Sequence, residues 1–273
     1  MERNLRRLKY NIFPKAPQSY EEIECQYLQD NIMKMFGYTL NDNPTIFYKG
    51  IFRDLENNYA FCVFGSDTII NLINTHIPLG QRNFLMDATF KVCPYGIFNQ
   101  LLIIYVEYCN NVCKSFINSI NFIKLTNVCF QSVPFLFILM SRKTEAYKGV
   151  FTYIENNVCS LKCRSFMTDY ETAMRNALRA VYPETSLFAC WFHFCQACKR
   201  QASKFEGFVT RLRQDKELQK IYAKFLAVPL IPSEDINQAF DMLCHEANAK
   251  DRQFFKRFIN YFRRQWILKV IAL

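Results

Sequence analysis

Asp87 and Asp169 each follow a run that reads as a β-strand. Asp87 closes the apolar run Phe84-Leu-Met within Asn83 to Lys91, and Asp169 follows the short strand expected from Arg164 to Thr168. In an open α/β sheet, ligands collect at the carboxyl ends of the strands. Two carboxylates from neighbouring strands offer hard oxygen donors suited to Mg²⁺ or Mn²⁺. A pair of such ions about 4 Å apart polarises a phosphodiester and activates a water or a 3′-hydroxyl for in-line attack. Either aspartate alone is equally an ordinary turn or cap residue, so the reading rests on the pair and its surroundings.

A second cluster is Cys190, His193, Cys195 and Cys198, a Cys-x-x-His-x-Cys-x-x-Cys string. Thiolates and imidazole are zinc ligands, but a tetrahedral site draws its halves from separate segments. These nine residues lead from a strand into a helix, so zinc is not expected there. The chain has 12 cysteines in 273 residues, a usage that fits buried thiols better than a disulfide framework. His76 and His245 have no neighbours in sequence that suggest chemistry.

The elements that must hold the acids follow from apolar spacing. Ser19-Tyr-Glu-Glu22 is a capping box ahead of Ile23, Tyr27, Leu28, Ile32 and Met35. Thr45–Arg53 and Tyr59–Phe64 read as a hairpin, and Thr68–Thr75 as a short helix. Asn83–Lys91, Ile97–Tyr108 and Pro134–Met140 are strand-like, the last two as the unbroken apolar runs of a sheet covered on both sides. Tyr147, Val150, Phe151, Ile154 and Val158 form one helical stripe. Another helix is expected at Glu171–Val181 and a last strand at Ser186–Cys190. Beyond lie helical stripes at Phe205–Leu212, Leu218–Leu226 and Phe255–Trp266, with Pro229 and Pro232 breaking the chain. The order predicts an α/β core with a helical appendage. Cys109 to Ser132 has no period and separates strands expected to be neighbours.

Charge is uneven. Lys and Arg exceed Asp and Glu by 34 to 24, a net +10. The last 75 residues carry 15 basic against 8 acidic side chains, and the first 198 carry 19 against 16. A basic segment of this kind is the footprint of a surface that meets phosphates. On the helix from Lys250 to Trp266 the aromatic stripe reads as packing. Arg252, Lys256, Arg263 and Arg264, with Lys199 and Arg200 upstream, are left as candidate contacts to a DNA backbone, which position without reading sequence. No stretch approaches ~20 apolar residues, and the N-terminus has no apolar core after its charges. The sequence therefore reads as that of a soluble protein from a reducing compartment, with no membrane partner.

Several of these strings together resemble the catalytic domain of Mutator-like element (MULE) transposases. They are Phe84-Leu-Met-Asp87-Ala-Thr-Phe-Lys91 with Pro94 and Gln100-Leu-Leu-Ile-Ile-Tyr105, then Pro134–Ser141 with Lys143-Thr-Glu-Ala-Tyr147. Phe166-Met-Thr-Asp169-Tyr-Glu171-Thr-Ala173 and Cys190-Trp-Phe-His193 with Gln196-Ala197 complete the set. The resemblance runs from about Phe64 to at least Phe205. It implies a ribonuclease H-like mixed sheet flanked by helices, with an all-helical C-terminal appendage and a small α+β region at the N-terminus. The expected boundaries are 1–78, 79–204 with an atypical insert at 109–132, and 205–273, a basic helical segment read as a shortened insertion domain. The implied function is metal-dependent DNA cleavage and strand transfer of the cut-and-paste (DDE) type, in the nucleus, or in the cytoplasm if the family guide fails. Asp87 and Asp169 match the first two acids. Glu171, Cys190 and His193 match supporting positions.

Glu206, Glu217, Glu234 and Glu246 fall too early or in the wrong setting for the third acid. A family member cut short and inactive, still binding DNA, is the leading expectation. Two alternatives stand beside it: an active enzyme using an unidentified glutamate such as Glu246, and a domesticated non-catalytic DNA-binding or interaction protein. Self-association is left open.

Overall fold

A computed structural model describes residues 19–23, 46–90, 93, 97–109 and 130–268. The chain divides into two compact units, residues 1–189 and 190–273.

The first unit is built on a seven-stranded mixed sheet. In chain order its strands are β1 (Tyr48–Asp54), β2 (Tyr59–Gly65), β3 (Asn83–Thr89), β4 (Gln100–Cys109), β5 (Phe130–Met140), β6 (Ser165–Thr168) and β7 (Ser186–Ala189). In space they run β1-β2-β5-β4-β3-β6-β7. The first five are antiparallel to their neighbours, and β6 and β7 are parallel additions. The N-terminal hairpin thus belongs to the same sheet as the acid-bearing strands. The mixed α/β class expected from the pattern is what the chain forms.

Among the described residues the helices α1 (Asp67–His76), α2 (Thr144–Asn157) and α3 (Thr172–Val181) accompany this sheet. Two parallel crossovers, β5–α2–β6 and β6–α3–β7, step the same way along the sheet. Right-handed crossovers then put both helices on one face. Phe61, Phe84, Met86, Leu102, Ile104, Phe135, Ile138, Phe151, Phe166 and Leu178 fill the layer between them and the sheet. The opposite face carries a smaller cluster at the hairpin end, around Ile23, Tyr48, Cys62, Phe64 and Phe98. Ser19 caps the turn at residues 20–23, its Oγ accepting from the Glu22 N–H at 3.1 Å. The remainder of that expected helix lies outside the described residues, as do Lys91, Pro94 and residues 110–129.

Two local features differ from the expectation drawn from pattern alone. Pro134 was the expected start of a strand, yet β5 begins four residues earlier. Ile104 pairs with Leu136 and Tyr105 with Pro134, leaving Phe135 as an extra residue. A bulge is where a ladder tolerates a residue without an N–H. It also switches the inward parity, so that Phe135 and Leu136 are both buried. The ends of the insert are strand as well. Cys109 pairs with Phe130, so β4 and β5 are direct neighbours along their whole length.

Gly50, in β1, has φ +126°, a backbone region open almost only to glycine. A Cβ there would run into the Tyr153 hydroxyl, which donates to the Lys49 carbonyl at 2.8 Å. Gly50→Ala is therefore expected to cost at least about 2 kcal/mol, from backbone strain and overpacking together. A urea unfolding curve measures it, and Tyr153→Phe in the same background should restore part of the loss.

The second unit is helical: α4 (Trp191–Ala202), α5 (Phe208–Gln214), α6 (Lys216–Ala227) and α7 (Ile236–Phe262), followed by a π turn at Arg263–Ile267. α7 is kinked at Asp251, whose φ of −160° and ψ of 92° are not helical. Asp251 Oδ1 accepts from the Phe254 N–H at 2.9 Å, capping the second half. The expected stripe Phe255, Phe258, Ile259, Phe262 and Trp266 is buried throughout, packed as core with Phe208, Tyr222, Phe225 and Phe240.

Candidate functional site

Asp87 is an exposed residue of β3, and Asp169 is the first residue after β6. These strands pair in parallel, Asn83 with Ser165, Phe84 with Phe166 and Leu85 with Met167, a constant offset of 82 residues. The pairing ends there; the same offset continued would align Asp87, inside β3, with Asp169, the residue after β6. In-register residues of parallel strands share a face. Asp87 lies on the face of β3 opposite the buried Phe84 and Met86, near the carboxyl end of the strand.

Polar contacts at the other end of the strands fix that register. Ser165 Oγ donates to Asn83 Oδ1 at 2.8 Å, Asn83 Nδ2 to Glu107 Oε2 at 3.1 Å, and the Arg164 N–H to the Arg82 carbonyl at 2.8 Å. Arg82 is itself buried, and its guanidinium donates to Ile77 O, Ser160 O and Asn74 Oδ1. A slip of one residue would turn each side chain of β6 to the wrong face and break these bonds.

The turn after β6 is equally tied. Asp169 Oδ1 accepts from the Glu171 N–H at 2.9 Å, forming an Asx turn. Thr168 Oγ1 donates to the Asp169 carbonyl at 2.8 Å. Arg175 Nη1 donates to Thr168 Oγ1 and Phe188 O, both at 3.2 Å, lacing β6, α3 and β7 together. Burial, and next the Asp87 charge, push the Tyr105 phenol up.

Glu171 is the residue before α3. Its carboxylate accepts from the Tyr147 hydroxyl at 2.8 Å and from Arg142 Nε at 3.2 Å, and only 11% of its side chain is exposed. Arg142 also lies 4.4 Å from the centre of the Phe90 ring. These partners occupy the Glu171 carboxylate. Sequence reasoning gave no site role to Tyr147, Gln100 or Arg142, although Gln100 and Tyr147 stand in the strings that carry the resemblance. Gln100 held a readable signal, a polar residue at an inward position of an apolar strand. Tyr147 also falls on an apolar stripe, though a buried tyrosine hydroxyl needs a partner.

The two aspartates fit a divalent cation in donor chemistry: hard carboxylate oxygens, with Asp169 Oδ2 outside the Asx turn. Among the described residues no group of three or more His, Cys, Asp or Glu side chains gathers as a metal site.

The other expected site residues belong to the second unit. Cys190 is the N-cap of α4, and His193 is its third residue, edge-on to Phe192. Burial pushes the Cys198 thiol up to about 12 and raises that of Cys195. Lys199, Arg200, Arg252, Lys256 and Arg264 are exposed. Arg263 is exposed but engaged, 3.6 Å from Asp241 and over the Phe240 ring. Of the glutamates weighed as a third acid, Glu246 pairs with Lys224 at 2.6 Å and Glu217 with Lys220 at 2.8 Å. Among the described residues no helix is long and apolar enough to cross a membrane.

No curated protein matches the chain. Residues 109–197 match the family model of the MULE transposase domain. The stretch takes in β5, α2, β6, α3, β7 and the start of α4, and with them Asp169, Glu171, Cys190 and His193; Asp87 lies upstream of it. Over these residues the resemblance to MULE transposases drawn from the motifs is borne out.

Proposed function

We propose that the chain is a transposase-derived DNA-binding protein of the cut-and-paste type, with a ribonuclease H-like core whose Asp87 and Asp169 hold a divalent cation. What supports the reading is the parallel pairing of β3 with β6, from Asn83 with Ser165 to Leu85 with Met167, a register that leads toward Asp87 and Asp169. The core topology agrees with it: a three-stranded meander, β3-β4-β5, then two parallel strands each reached through a helix. A bound Mg²⁺ or Mn²⁺ would supply Lewis-acid polarisation of a phosphodiester. The chain's own part is to present one carboxylate from β3 and the other from the tied turn after β6. Among the described residues no third acid joins Asp87 and Asp169 in a metal-binding group, and without one cleavage is expected to be absent. Lys199, Arg200, Arg252, Lys256 and Arg264 are suited to neutralise backbone phosphates, and a DNA substrate suits residence in the nucleus.

The test compares the chain with an Asp87→Ala, Asp169→Ala double variant in a nicking and strand-transfer assay containing Mg²⁺ or Mn²⁺. The same DNA is followed by retention at rising salt. Expected are no cleavage by either protein, and retention that weakens roughly 10³-fold between 50 and 200 mM salt for about six phosphate contacts. Metal-dependent nicking that disappears in the double variant would overturn the loss of activity and restore a working enzyme.

A further inference from the structure

A continuous polar chain leads from the middle of the sheet to the candidate cation site. Gln100 and Tyr147 are wholly buried. Gln100 Nε2 lies 2.6 Å from the Tyr147 hydroxyl, which lies 2.8 Å from Glu171 Oε2. The Glu171 N–H in turn donates to Asp169 Oδ1. The direction of each bond is forced. An ionised carboxylate only accepts, so the tyrosine must donate to Glu171, and its oxygen must accept from the amide of Gln100.

We infer that Tyr147 is a positioning residue for Asp169, acting through Glu171 to fix the turn that aims the carboxylate at a shared cation. The inference rests on the reading of Asp87 and Asp169 as cation ligands. Three observations support it. Glu171 joins both halves of the chain, its side chain held by Tyr147 and its backbone N–H held by Asp169, so its orientation and that of the turn are one variable. The other partner of its carboxylate, Arg142, is half exposed and so a weak constraint. The Tyr147 phenol is held protonated by burial first and by the Glu171 charge second, so it remains a donor across the working pH range. A phenylalanine would fill the same volume. The hydroxyl is what couples α2 to the turn.

The experiment uses the full chain and three variants, Tyr147→Phe, Glu171→Gln and Glu171→Ala. Three quantities are read: hydrogen exchange at the Glu171 amide, thermal midpoint, and Mn²⁺ affinity by electron paramagnetic resonance. In Tyr147→Phe the Glu171 amide should exchange about tenfold faster, and Mn²⁺ should bind about tenfold more weakly, as when the outer support of a metal ligand is lost. Glu171→Gln keeps an acceptor for Tyr147, so exchange at the residue 171 amide should rise less than in Glu171→Ala. Glu171→Ala should reproduce the Tyr147→Phe result. The inference is overturned if exchange at Glu171 is unchanged in Tyr147→Phe, or if exchange rises evenly across the first unit in step with the thermal midpoint. Faster exchange with unaltered Mn²⁺ affinity overturns it too. If the wild-type chain takes up no Mn²⁺, or Asp169→Asn binds it as well as wild type, the cation reading fails, and exchange at the Glu171 amide alone decides whether Tyr147 fixes the turn.

Discussion

Truncating Phe258 to alanine is expected to destabilise the second unit by about 3–5 kcal/mol, the range for deleting a buried aromatic side chain. Phe258 is fully buried. Its ring centroid lies 5.1 Å from that of Tyr222, 5.5 Å from Phe225 and 5.6 Å from Phe208, so the cavity would open among aromatics from α5, α6 and α7. Those rings are themselves locked, Phe208 lying flat against Phe254 at 4.3 Å, and the site can relax little. A small domain has only about 5–15 kcal/mol to lose. The chain has two tryptophans, Trp191 and Trp266, both in the second unit, so tryptophan emission during urea unfolding reports on this unit selectively. Phe254→Ala, at a half-buried position, should cost clearly less. A loss below about 1 kcal/mol in Phe258→Ala would mean that the aromatic cluster is not the core of this unit.

Asp87→Asn and Asp169→Asn are expected to change stability in opposite directions depending on the cation. Asparagine keeps a side-chain oxygen for the Asx turn while removing the charge. In the presence of chelator, two like charges at one register of neighbouring strands repel, and removing either should stabilise the first unit by a few tenths to about 1 kcal/mol. With Mn²⁺ at about 100 times its dissociation constant, the wild-type chain should gain about 2.7 kcal/mol from binding, and each variant should lose most of that gain. A stabilising effect of both substitutions in both conditions would leave the acids as ordinary turn residues.

The helix and strand elements around the site were legible because their cores are regular. The apolar run before Asp87 and the stripe from Tyr147 to Ile154 place strand and helix without ambiguity. That Asp169 follows a strand was legible, whereas Asp87, expected at a strand's end, lies inside β3, two residues before Thr89. The register of β3 against β6 was not legible, because it depends on contacts distant in sequence: Ser165 with Asn83, and Arg164 with a buried Arg82. The bulge at Phe135 was hidden because an apolar run has no alternation to betray a change of parity. Glu171 was marked as a supporting residue, but its partners were not visible, since Tyr147 reads as one more apolar position until its hydroxyl is placed. The kink at Asp251 was half legible. The second aromatic helix was expected to begin at Lys250, but nothing in the sequence said that α7 would run into it from Ile236.

The central claim is that Asp87 and Asp169 act on one cation, and a double-mutant cycle on Mn²⁺ affinity tests it most directly. Asp87→Asn and Asp169→Asn should each weaken binding by roughly 100-fold or more, at least the cost of losing a ligand's outer support. The double variant should lose no more than the worse single one, because half of a shared site is already no site. Losses that simply add, or Mn²⁺ binding that survives either single substitution, would contradict it.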